Sequence, residues 1–66
     1  MDRQSLETRI SWALEAAADQ GYITPYTSCA ELFNSRYEIL EFEFSEDEIE
    51  DIPESTVLEV FQTWAK

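Results

Sequence analysis

Between Glu38 and Glu54 the chain places nine carboxylates (Glu38, Glu41, Glu43, Glu46, Asp47, Glu48, Glu50, Asp51 and Glu54) with no lysine or arginine among them. No other stretch restricts the fold so tightly. On a helix, Glu46 and Glu50, or Asp47 and Asp51, become like-charge neighbours at i, i+4, each pair costing about 0.2–0.5 kcal/mol. Crowding that much charge opposes folding, so something must offset it. Part of the offset is local. Ser45-Glu46-Asp47-Glu48 is a capping-box pattern that opens a helix, and acids in a first turn face the positive end of its dipole. Asp51 and Glu54 can act the same way around Pro53. Glu38, Glu41, Glu43 and Glu50 are left without a local role.

The whole chain shares the bias. It has 66 residues, with fifteen Asp and Glu against four Lys and Arg, a formal net charge of -11 and no histidine. A nucleic-acid binder needs a basic footprint, and docking on an anionic membrane needs clustered Lys and Arg, so both are disfavoured. Yet 44% of the residues are hydrophobic and 14% aromatic, too many for a disordered acidic tail. One small domain spanning 1–66 is expected. A domain of this size hides only roughly 60% of its unfolded-chain surface. Cys29, the single cysteine, cannot close an internal disulfide, so a rich aromatic core or a homodimer must supply stability. The chain opens at Met1 with no basic, apolar leader, and no run approaches the roughly 20 apolar residues of a membrane span. With one unpaired thiol, a complete short reading frame in the reducing cytoplasm is the expectation.

Periodicity predicts a mostly α, three- to four-helix domain. Leu6, Ile10, Ala13, Leu14, Ala17 and Ala18 recur at spacings of three and four, giving a helix from about 2 to 20 that Asp2 or Ser5 caps. Gly21, the only glycine, stands where a helix C′ residue belongs. Tyr22 to Thr27 reads as a connector stiffened by Pro25. Ser28-Cys29-Ala30-Glu31 is a second capping-box pattern, predicting a short helix over 28–36. Pro53 marks a fresh start, and Val57, Leu58, Phe61, Trp64 and Ala65 form an amphipathic stripe to Lys66, a cation at the negative helix end. Residues 37–44 fit two readings. Leu40, Phe42 and Phe44 alternate with Glu41 and Glu43, as in a half-buried strand or hairpin, but a lone strand leaves its backbone unsatisfied. The alternatives are a helix running on from Arg36, or an α+β fold with Tyr22–Thr24 or a second copy as partner.

Little here supports catalysis. Without histidine there is no Ser-His or Cys-His pair, one glycine cannot build a phosphate loop, and so short a chain leaves little room for a glycosidase cleft. Cys29 on an apolar face reads as core. The run from Asp47 lacks an EF-hand's central glycine and carries Ile49 and Ile52 at ligand positions, so no dedicated metal or cofactor site is expected.

A non-enzymatic binding protein is the expectation. In size, charge and lack of catalytic residues the chain resembles the small acidic inhibitors that phages and plasmids carry against restriction or CRISPR systems. That resemblance implies a nucleic-acid mimic in which Glu38, Glu41, Glu43, Glu46, Asp47, Glu50, Asp51 and Glu54 stand in for phosphates. The implied partner is the basic surface of a larger, nucleic-acid-binding protein, with no direct contact to nucleic acid or membrane. Arg3, Arg9 and Arg36 lie outside the acidic run, which implies a strongly dipolar molecule. The rival is a homodimeric interaction module working through Trp12, Tyr37 and Phe42, with Tyr22 and Tyr26 on its rim and the acids serving solubility. A third class, an unstable regulator, draws only on Pro53-Glu54-Ser55-Thr56 beside the acids.

Overall fold

The N-terminal stripe becomes α1, Arg3–Asp19, which buries Ile10, Ala13, Leu14 and Ala17 completely along one face. This computed structural model describes residues 3–65, without the side chain of Arg3. The cap read for Asp2, the helix-end cation read for Lys66 and the charge placement of Arg3 lie outside the described residues. Gly21 stops α1 in the left-handed region at φ 86°. Its N–H donates to the carbonyl of Ala18 at 3.0 Å, and the Tyr22 N–H donates to that of Ala17 at 2.9 Å. These are the paired bonds of a Schellman motif, which satisfy the orphan carbonyls of the last turn. A Cβ at Gly21 would meet nothing within 4 Å, so Gly21→Ala carries a backbone penalty only. The variant is expected to lose about 1–2 kcal/mol, read as a lower urea midpoint with an unchanged slope.

Four shorter helices follow: α2 (Cys29–Asn34), α3 (Arg36–Leu40), α4 (Glu46–Asp51) and α5 (Glu54–Trp64). Five helices and no strand make up the described residues, so the fold is mostly α. The expected 28–36 helix is split at Ser35, which closes α2 and opens α3. Ser28 caps α2 by accepting from the Glu31 N–H at 3.2 Å. Pro53 stands one place before the helix proper, as the N-cap of α5. The stretch Pro53-Glu54-Ser55-Thr56 is thus a helix start with Thr56 buried.

Residues 37–40 take the helical alternative as part of α3, and 41–44 follow as turns rather than as a strand. After α3 the chain keeps helix-like bonds, Glu41 N–H to Tyr37 at 3.1 Å and Phe44 N–H to Leu40 at 2.8 Å. A strand here would need an edge to pair with, and among the described residues none exists. The side chains record the consequence. Leu40 and Phe44 are buried, as is Ile39, whereas Phe42, which a strand would place on the same face, stays 41% exposed.

Among the described residues, thirteen apolar side chains form one core, joining α1 to the rest through Leu32, Ile39, Leu40, Ile49, Val57, Val60 and Phe61. Ile23 from the connector joins it too, and Cys29 packs at its margin. Helix α1 packs on α5 and α3, α2 on α5 and α3, and α3 on α4. The Cα radius of gyration is 10.5 Å, close to the roughly 11 Å expected of a folded chain this long. Among the described residues, no helix is long and apolar enough to cross a membrane.

Candidate acidic interaction face

Helix α4 reads Glu-Asp-Glu-Ile-Glu-Asp, so five of its six residues are acids and Ile49 alone is fully buried. Such a helix has almost no intrinsic reason to form. Three devices hold it. Ser45 and Glu48 complete a capping box, with the Glu48 N–H donating to Ser45 Oγ at 3.4 Å and the Ser45 N–H to Glu48 Oε1 at 3.1 Å. Glu46, Asp47 and Glu48 occupy the first turn, at the positive end of the dipole. Ile49, flanked by buried Phe44 and half-buried Ile52, ties the turn to the core.

The fourth tie comes from α1. Arg9 Nη1 lies 3.4 Å from Glu48 Oε2, its Nη2 donates to the Glu43 carbonyl, and its guanidinium sits 4.2 Å from the centre of the Phe44 ring. One cation thus serves a carboxylate, a backbone carbonyl and an aromatic face. A planar guanidinium can do this and a compact ammonium cannot. Arg9 is therefore folded onto the acidic run. Arg36, at the start of α3, is held instead over the Phe33 and Tyr37 rings at 4.0 and 4.6 Å.

The predicted site residues separate into two groups. Glu38, Glu41, Glu46, Asp47, Glu50, Asp51 and Glu54 are exposed, while Glu43 and Glu48 are half-buried beside Arg9. The seven exposed acids ride on α3, the turn after it, α4 and the first turn of α5, each anchored by buried neighbours. Among the described residues, no three acidic or thiol groups converge to hold a metal ion. These acids are spread over a surface. Of the predicted apolar contact, Trp12 is 54% exposed and Phe42 is open, but Tyr37 is half-buried beneath Arg36. Phe61 lies in the core, stacked on the half-buried Trp64 at 6.0 Å.

Glu48 holds its proton less tightly than an ordinary carboxyl. The Ser45 backbone N–H bonded to it is the main cause; desolvation opposes it, and the Arg9 charge and hydrogen bond add smaller lowering effects. A carboxyl whose folded value lies below its unfolded one stabilises the fold above the ordinary carboxylate range. That contribution is lost as pH falls through the folded value. Glu48→Gln is therefore expected to show a flatter loss of urea midpoint between neutral pH and about pH 3 than the parent. The other carboxylates are common to both chains, so the difference isolates Glu48. Parallel curves would contradict this role.

Two features escape a linear reading. Arg9 borders the α1 stripe one residue before Ile10, and that border position in a cation-poor chain was its only signal. The edge-on contact of Tyr22 with Phe42, 5.9 Å between centroids, joins a connector to a turn and had none. No protein family, curated protein or solved structure matches this chain.

Proposed function

We propose that the chain is a non-enzymatic binding protein whose acidic surface occupies a basic, nucleic-acid-binding site on a larger protein. The observation that carries the reading is that seven exposed carboxylates between Glu38 and Glu54 sit on helices, and on the turn after α3, pinned to one core. On α4 the i, i+4 pairs Glu46/Glu50 and Asp47/Asp51 set charges roughly 5–6 Å apart at their Cβ atoms. A ligand that displays fixed charge at such spacing meets lysines and arginines built to hold phosphates, and opposite fields speed the encounter. An inhibitor of the antirestriction or anti-CRISPR kind, acting in the cytoplasm, is the most specific version. The longest dimension, 29 Å, would limit it to covering roughly eight base pairs of a duplex site.

Capture from nuclease-treated lysate tests this, with the parent and the triple variant Asp47→Lys, Glu50→Lys, Asp51→Lys as baits. Mimicry expects a nucleic-acid-binding protein that is released on raising salt from about 50 to 200 mM, that added duplex displaces, and that the reversed bait fails to capture. A partner that withstands both salt and charge reversal sinks it. A second reading draws on the exposure of Trp12 and Phe42, 54% and 41%. It makes the chain a homodimer through an apolar patch, and sedimentation would then give a dimer mass that Trp12→Ala reduces to a monomer.

A further inference from the structure

Where the connector meets α3 and the turn after it lies a notch lined by Tyr22, Glu38, Glu41 and Phe42. We infer that this notch is a receptacle for one arginine side chain of the basic partner, an inference that rests on the proposed binding role. Phe42 and Tyr22 meet edge to face at 61° and both stay open, 41% and 55% exposed. Large aromatics left open in pairs are unusual in a chain that buries thirteen other apolar side chains among its described residues. The two carboxylates are exposed as well. The notch measures about 290 Å³, just under the roughly 300–1,000 Å³ of small-molecule pockets and suited to one side chain.

The chain itself shows what such a setting takes. Arg9 is held by the Phe44 ring together with the Glu48 carboxylate, and Arg36 by two rings. Tyr22, Phe42, Glu38 and Glu41 repeat the first combination, aromatic rings beside carboxylates, while Arg9 and Arg36 are both held on other rings. Carboxylates supply charge and the rings supply a stacking surface, so the notch discriminates. A guanidinium can stack and pair at once, whereas an ammonium is a strongly hydrated point charge. The occupant is therefore an arginine, and a second copy of this chain, itself at -11, is disfavoured.

The test uses the full chain, isotope-labelled, in titrations at low salt with hexa-arginine and hexa-lysine peptides, followed by aromatic and amide NMR signals. Hexa-arginine is expected to bind roughly two- to fivefold tighter than hexa-lysine and to shift the Tyr22 and Phe42 ring signals. Phe42→Leu, which keeps an apolar side chain at a half-open position, should erase that preference while leaving hexa-lysine affinity unchanged. If both peptides bind alike and move only α4 amides, the notch is refuted and the acidic-face reading stands. If neither peptide moves any signal, both fail together.

Discussion

Replacing Ile49 by alanine is expected to destabilise the protein by about 2–4 kcal/mol, lowering the thermal midpoint by roughly 8 °C or more. Ile49 is 1% exposed and is the only fully buried side chain in α4. Removing most of its side chain takes away transfer energy and leaves a cavity that neighbours fill only in part. Alanine's better helix propensity returns a few tenths of a kcal/mol. A chain of this length commands roughly 3–10 kcal/mol in total, so the loss is a large share. The effect bears on the proposed binding role because α4 carries five of the acids in the run. Once the anchor goes, their mutual repulsion favours dispersal. Glu50→Ala on the exposed side of the same helix should change stability by less than about 0.5 kcal/mol, as a surface substitution that also removes a like-charge neighbour of Glu46. Equal losses in the two variants would show that burial of Ile49 does not hold the helix.

Arg9→Met should cost about 2 kcal/mol. Methionine keeps much of the aliphatic bulk against Phe44 but removes the guanidinium. The charge-assisted bond to the Glu43 carbonyl accounts for most of the effect, about 1.5–3 kcal/mol before allowance for solvent, and the ring contact adds about 0.5–1. The pair with Glu48 is half-exposed and adds little. Arg9→Lys should restore less than half of the loss, since an ammonium cannot serve all three partners. Urea denaturation of the three proteins decides it. A change in Arg9→Met below about 0.5 kcal/mol would mean that the contact is incidental.

What the sequence reveals about this fold follows the range of the interactions. Ser45 and Glu48 are three residues apart, and their capping box is legible because it is made within one helical turn. Gly21 is legible for the same reason, since the requirement for positive φ is local. The alternation from Leu40 to Phe44 is also local, yet it points both ways. Whether it becomes a strand depends on an edge elsewhere in the chain, and no propensity at those positions can report that. Arg9 reaches across 39 residues to Glu48 and 34 to the Glu43 carbonyl, and the Tyr22–Phe42 pair spans two irregular segments. The acids of the site were therefore visible as a list, while their division into exposed display and Arg9-bound support emerged only from packing.

The most direct measurement of the proposed function is equilibrium competition between this protein and labelled nucleic acid for a basic protein identified by the capture experiment. Displacement of the nucleic acid in proportion to added protein is the predicted result, with Asp47→Lys, Glu50→Lys, Asp51→Lys weaker by at least about a hundredfold, since like charges set against a basic site cost several kcal/mol. Simultaneous binding of both ligands, or undiminished displacement by the reversed variant, would contradict the central claim that the acidic face takes the place of a phosphate backbone.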